Sequence, residues 1–461
     1  LGDLRRNQRA ITIGAAFAAN PGGSIPQLFE RWSETKAAYT FFGNPAVTPD
    51  EIQVTHRDLV LERMGQPGFY LLLEDTSEMS WAGQQPRPGL GPVGESKDGK
   101  QGFLLHTTLA AKWPEEAQPK EPGRRPPVEL LGIADQQAVV RQAAPAGETR
   151  RERLLRERES EVWEATTTRL GTAPPEPAIR WVRVCDRGAD IYEFLLSCQQ
   201  EGHGFVVRAA QDRALLDETG QVGGHLFETA RAGAALGEFE LELRARPGQA
   251  ARTAHLSVSA TRVCLRAPYR PGSGPGKLPP IECTVVRVWE GSPPAGVEPL
   301  EWILLCDAVV TSFEQAREVA LQYAARWLVE EFHKALKTGL GAEKLQLEPG
   351  QSLMNAVALM SVVALRLLHL REVARRSPEA PAAHSGLSEL ELAVLEEKAR
   401  RPLPTVRDVA LALGKLGGHL NRKGDGLPGW ITLWRGYLKL QALVEGVRLG
   451  HNLDRKLKKF R

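Results

Sequence analysis

A chain of 461 residues is long enough for several domains. With 42% hydrophobic and 25% charged residues it has the makeup of a globular protein with a sizeable core, which excludes a disordered scaffold. A net charge of only +3 excludes a uniformly basic coat but permits local basic surfaces. The five cysteines, Cys185, Cys198, Cys264, Cys283 and Cys306, have no CxxC spacing, so neither a zinc site nor a disulfide framework is expected. Such sparse cysteine fits a reducing, cytoplasmic location. No charged-then-apolar leader is visible, and a start at Leu1 rather than Met suggests a missing N-terminal piece.

Residues 1–66 read as short helices, a unit expected to form an N-terminal helical domain. Ile11–Ala18 is an apolar helical stretch preceded by Arg5, Arg6 and Arg9 and broken by Asn20-Pro21-Gly22-Gly23. Thr48-Pro49-Asp50-Glu51 reads as a helix start. Residues 67–212 change to strands. Phe69–Leu73 is a buried strand running into Glu74-Asp75, followed by strands at Gly102–Leu109 and Val128–Val140. The charged stretch Arg150–Arg169 reads as an exposed helix. Ile179–Cys185 is a strand ending at Asp186, then comes a helix capped by Asp190, then a strand at Phe205–Arg208. Residues 213–312 alternate in polarity over Glu238–Arg244, Ala254–Arg262 and Cys283–Trp289, with a Gly/Pro loop at Pro271–Pro280, and read as an antiparallel β insertion. Helices are expected at 313–338, 351–376, 387–400, 405–416 and 430–449. The units are thus 313–376, a helical continuation of the core, and 377–461, a C-terminal helical domain. Leu353–Leu370 is long enough to cross a membrane, but Asn355, Arg366 and His369 within it favour a core helix, and no membrane partner is expected. The basic tail from Arg448 to Arg461 reads as a solvated terminus.

Asp75 and Asp186 each end a strand. Two carboxylates so placed can converge on a hard cation such as Mg²⁺, although turn or cap roles are the common alternative. Tyr323, Arg326, Glu330 and Lys337 follow at spacings that put them on one helix stripe, with Lys334 on the same side. A solvated face stapled by i,i+4 ion pairs would explain the charges. It would not explain the tyrosine, or the adjoining apolar set Trp327, Leu328 and Phe332. A carboxylate ringed by cations suits a metal-and-phosphate site. Two ions would activate the attacking oxygen and stabilise the leaving one without a protein nucleophile.

These residues resemble bacterial cut-and-paste transposases of the insertion-sequence-four superfamily, in the branch with a Tyr-x2-Arg-x3-Glu-x6-Lys signature. Here the signature runs from Tyr323 through Arg326 and Glu330 to Lys337, and the match continues through Thr338-Gly339 and Gly341-Ala342-Glu343. The blocks Glu74-Asp75-Thr76 and Val184-Cys185-Asp186-Arg187-Gly188-Ala189-Asp190 match too, with Gly188 where the branch often has Glu. Phe205–Arg208, Pro299–Trp302, Leu1–Arg6 and Gly429-Trp430-x3-Trp434-x-Gly436 extend the likeness over nearly the whole chain.

The resemblance implies an α/β fold: an RNase H-like catalytic core interrupted by the antiparallel β insertion and flanked by N-terminal and C-terminal helical domains. It implies that Asp75, Asp186 and Glu330 are catalytic and hold two Mg²⁺ ions, with Mn²⁺ able to substitute. It makes Tyr323, Arg326, Lys334 and Lys337 DNA contacts, and Trp302 the indole that stacks on a flipped base. Trp302 read alone is better taken as a core aromatic of the β insertion, and only the resemblance tips the choice. Arg208 is a contact to end DNA or a strand-end ion pair. Arg9 is a contact to end DNA on the N-terminal domain, where Thr40 replaces a basic residue. Glu331 is expected on the surface or behind the ligands. The implied reaction is nicking, hairpin formation, hairpin opening and joining of the 3′ ends to target DNA. The implied partners are transposon end DNA, target DNA and a second copy in a homodimer, joined through the C-terminal helices. A catalytically silent relative that holds DNA ends or inhibits transposition is the rival, and a nuclease that never joins strands is a second. A purely structural protein would make every acidic block a coincidence.

Overall fold

The computed structural model describes residues 1–83, 87–94, 99–115, 123–142, 147, 149, 159–243, 251–268, 278–422 and 425–458. Parts of the expected 85–94 and 114–127 loops, the first half of the charged 150–169 stretch, most of the 271–280 loop and the end of the basic tail lie outside them. The fold is mixed α/β, with one mostly antiparallel sheet between helical flanks.

The N-terminal flank is three helices, α1 (Leu4–Ala19), α2 (Trp32–Phe42) and α3 (Pro49–Met64). Asp3 caps the first, accepting from the backbone N–H groups of Arg5 and Arg6. Thr48 caps the third ahead of Pro49, as its sequence foretold.

The sheet begins with β1 (Gly68–Trp81), β2 (Gly91–Pro92), β3 (Gln101–Trp113) and β4 (Glu129–Val139), continues with β5 (Ile179–Cys185) and β6 (Gly204–Arg208), and is extended by β7 (Ala214–Leu216), β8 (Val222–His225), β9 (Gly237–Leu243), β10 (Arg252–Leu265), β11 (Ile281–Glu290) and β12 (Glu301–Cys306). Between these lie α4 (Glu161–Leu170), α5 (Tyr192–Gln200) and α6 (Leu226–Ala232). Strand β1 is central, antiparallel to β3 and parallel to β5, and β5 is parallel to β6. The strands of 213–312 continue this sheet, because β12 pairs with β6 through Leu304↔Arg208 and Cys306↔Val206. Strand alternation gives β1 two dressed faces. Leu71 and Leu73 join the large core under the C-terminal helices, while Tyr70 and Leu72 pack with Val60, Met64 and Trp181.

Two expected boundaries differ. Strand β1 does not stop at Glu74-Asp75 but runs on to Trp81, because β3 pairs with it along its full length. Asp190 is not a helix cap. Ile191 precedes the helix, and buried Asp190 instead accepts the backbone N–H groups of Ala210 and Gln211 at 2.7 Å and pairs with Arg213 at 2.5 Å. A carboxylate taken from water finds its partners across the turn after β6.

The expected 313–338 helix is three pieces. Helix α7 (Phe313–Ala325) meets α8 (Trp327–Lys334) at Arg326, where the hydrogen bonding tightens to i→i−3. A wide π turn, Ala335–Gly339, follows. Helix α9 (Gly350–Arg376) is long and apolar enough to span a membrane, yet most of it is buried against α3, β4 and the other helices. It is a core helix. Helices α10 (Glu389–Ala399), α11 (Val406–Leu416) and α12 (Trp430–Lys458) complete the chain.

Candidate active site

The parallel pairing of β1 with β5 ends at Leu73↔Val184. Asp75 and Asp186 each lie two residues beyond that last pair, so adjacent parallel strands deliver them side by side. Asp75 shares the face of Leu71 and Leu73. That face is covered by α8, whose Leu328 and Phe332 are buried in the same core. They anchor the helix from the side opposite Glu330, so that the face carrying Arg326, Glu330 and His333 turns toward Asp75.

Arg326 is the centre of the cluster. Its guanidinium donates to Glu330 Oε1 at 2.5 Å and lies 3.6 Å from Asp75 Oδ1. Burial opposes its charge, but the fields of Tyr323, Asp75, Glu330 and Asp186 together raise its pKa above the ordinary arginine value. One cation therefore feels all three acids. Burial, aided by the Asp75 charge, pushes the Glu330 carboxyl above the usual range, although Arg326 pulls the other way. Burial also works against Asp75, but a hydrogen-bonding His333 and the Arg326 charge outweigh it and hold the carboxyl below its usual range. Asp186 accepts the Gly188 N–H at 2.8 Å. It thus fills the turn-cap role that sequence left open, while staying within the field of Arg326.

The donor set is three carboxylates about a cation, which is the oxygen chemistry a hard divalent ion takes. Among the described residues no group of three or more His, Cys, Asp or Glu side chains stands gathered for a metal. The acids suit the ion in kind, and Glu330 would have to leave Arg326 to bind it.

Around the acids stand the other expected residues. Tyr323 is buried with its ring edge-on to Trp302 at 5.0 Å, and the Arg326 guanidinium lies 5.8 Å from the Tyr323 ring. Arg208 donates to the Glu301 carbonyl oxygen at 2.9 Å, and its field reaches Tyr323. Trp302 is half-buried. Arg208, Trp302, Tyr323 and Arg326 line one cavity of about 1880 Å³. Three residues stand apart from this group. Lys334 is exposed and lies 4.8 Å over the Trp327 ring. Lys337, carried round by the π turn, donates to Ser77 Oγ at 3.3 Å and pairs with Glu343 at 3.5 Å. Arg9 lies on α1 and makes no hydrogen bond or ion pair among the described residues.

Glu331 is not a surface residue. It is buried and pairs with Arg371 at 2.6 Å. Sequence reasoning also passed over His333, buried with Nδ1 3.8 Å from Asp75 Oδ2 and Nε2 3.1 Å from Thr107 Oγ1. The signal was the spacing Glu330-x2-His333, which puts both on one helix face. Arg187, in the second acidic block, and Arg287, stacked 4.3 Å over Trp289, line the same cavity and were not singled out.

Residues 1–47 match the family model described as transposase DNA-binding, and residues 362–455 match the one described as the transposase Tn5 dimerisation domain. The acids lie between the two matched segments. At one end Arg9 falls in the DNA-binding match, and at the other α11 and α12 fall in the dimerisation match. The two matches, in this order along one chain, support a DNA transposase of the Tn5 type with DNA and a second copy of itself as partners.

Proposed function

We propose that this chain is a cut-and-paste transposase of the insertion-sequence-four superfamily, in the branch with the Tyr-Arg-Glu-Lys signature, and that Asp75, Asp186 and Glu330 are its catalytic triad. The observation that carries the reading is a largely buried arginine, Arg326, that pairs with Glu330 and lies against Asp75, beside a cavity lined with arginine and aromatic side chains. The mixed sheet, with antiparallel β1–β3 and parallel β1–β5–β6 at its centre, supports an RNase H-like core.

The three carboxylates would hold Mg²⁺ or Mn²⁺, two ions per site, which would supply an activated oxygen and charge neutralisation at the leaving one. The chain's own residues do the rest. Arg326 and Tyr323 grip phosphate oxygens at the cleaved end, and binding of phosphate by Arg326 frees Glu330. Trp302, open to the cavity and braced by Tyr323, offers its face to a base turned out of the stack, a contact worth about 1–3 kcal/mol. Arg208 holds the backbone beside it. Lys334 and Lys337 extend the cationic surface along the signature helix, and Arg9 reads the end from the N-terminal domain. With these groups one site would nick a strand, form and open a hairpin, and join the 3′ ends to target DNA, within a homodimer bridging two transposon ends.

A second reading, a silent relative that holds ends without cutting, draws on the Arg326–Glu330 ion pair, which occupies a would-be ligand. A labelled duplex carrying the element's own terminal sequence, incubated with Mg²⁺ or Mn²⁺, separates the two. Nicks and hairpins that vanish in Glu330→Ala support the transposase. Binding without cleavage by either protein supports the silent relative.

A further inference from the structure

Behind the signature helix lies a buried ionic cluster that the proposed chemistry does not use. Arg371 pairs with Glu331 at 2.6 Å and with Glu372 at 2.8 Å. Arg125, from the chain leading into β4, and Arg375, one turn beyond Arg371, both reach Glu372, at 3.3 and 3.4 Å. Arg375 also donates to the Arg125 carbonyl oxygen at 3.3 Å. Among the described residues, three guanidinium groups thus share two carboxylates. The neighbouring Arg124 is matched by Glu242 at 2.7 Å and adds no acid to the cluster.

An uncompensated buried cation is costly, and a purely structural hub would be expected to balance its charge. The excess is placed where an anion could reach it. The Arg125 and Arg371 side chains are 9% and 6% exposed, whereas Arg375 is 20% exposed. All three line the cavity shared with Arg326 and Trp302, and exposed Arg407 lines it beside them. Burial and the Arg125 charge push the Arg375 pKa down to about 10, a strain that an arriving anion would relieve. Glu330 and Glu331 leave their helix about 100° apart. The cluster therefore faces a different part of any long polyanion than the acids do.

We propose that Arg375, supported by Arg125 and Arg371, is a second phosphate-binding site that grips the DNA backbone away from the bond being cut. The proposal rests on the DNA reading above. The ligand is a phosphodiester of duplex DNA rather than a free phosphate ion, because the same cavity extends to Arg326, Tyr323 and Trp302 at the edge of the candidate active site. Arg375→Ala is the informative variant, since it removes the excess cation and leaves both carboxylates paired by Arg125 and Arg371.

The test measures binding of a random-sequence duplex of about 30 base pairs, three helical turns, across a range of salt. Loss of one phosphate contact lowers the slope of log K against log salt by about 0.9. Between 50 and 200 mM salt the variant should then lose about 3- to 4-fold less affinity than the parent. Arg375→Lys should keep the parent slope, and the thermal unfolding midpoint of Arg375→Ala should stay at or above the parent's. An unchanged slope in Arg375→Ala, with the parent binding duplex, overturns this inference alone. So does binding of inorganic phosphate that Arg375→Ala abolishes while the DNA slope stays the same. If the parent binds no duplex at all, the DNA reading falls and takes this site with it.

Discussion

Arg326 holds the charge balance of the candidate site, and His333 holds its geometry. His333 is pinned by Thr107 and stands against the far oxygen of Asp75. Groups behind a metal ligand typically change metal affinity by about 10–100-fold when removed. His333→Ala should therefore raise the Mg²⁺ concentration needed for half-maximal cleavage by about tenfold, with the fold intact by circular dichroism. On the opposite face of β1, Glu74 is fully buried with Arg183, whose Nη2 donates to it at 2.7 Å. Burial opposes the Glu74 charge, but Arg183 and His106 hold its pKa below the ordinary 4.5, and the arginines of the second cluster do the same for Glu372. A carboxyl depressed by folding stabilises above its unfolded pKa, and that stability is lost as pH falls through the folded one. The unfolding midpoint should thus hold steady down to about pH 4.5 and drop below it. Glu74→Gln should cost about 3–5 kcal/mol at neutral pH by stranding Arg183, and should weaken the acid dependence. At this scale the stripe of Tyr323, Arg326 and Glu330 was legible in the sequence, and so was the strand that presents Asp75 to it. His333 and Glu331 were not, because their partners Thr107, Asp75 and Arg371 come from distant segments.

Elements tell where periodicity succeeds and where it stops. The strand cores and the C-terminal helices were readable from apolar runs and caps. Reading 313–338 as one regular helix missed the tight turn at Arg326 and the π turn at Ala335–Gly339. Those irregularities turn Lys337 toward Ser77 and Glu343, and nothing in local spacing encodes them. The glycine of the Trp430-x3-Trp434-x-Gly436 block has a packing reason. A Cβ at Gly436 would stand 1.9 Å from the Leu413 carbonyl oxygen, and one at Gly417 1.9 Å from that of Thr432, so α11 and α12 touch backbone to backbone. Gly436→Ala should therefore destabilise the C-terminal helices by about 1–3 kcal/mol, read from a denaturant midpoint.

Across the whole molecule, the matched segments at the two ends flank a central sheet that brings up Asp75 and Asp186 and a helix that carries Glu330. The 213–312 strands were legible as antiparallel, but their pairing with β6 was not, because register between strands far apart in sequence leaves no local pattern. Helix α12 exposes Ile431, Leu443, Val447, Leu449 and Leu453, apolar side chains that a second copy would cover. Leu449→Glu with Leu453→Glu should leave the chain folded and shift it from dimer to monomer in sedimentation. The carboxylates of Asp75, Asp186 and Glu330 are proposed to hold the metal that cuts DNA. Exchange of the ligand for a softer one tests it most directly, because carboxylate oxygen suits Mg²⁺ whereas thiolate does not. Asp75→Cys should abolish nicking of the end duplex in Mg²⁺ and recover a measurable part of it in Mn²⁺. Full activity of that variant in Mg²⁺ would contradict the account.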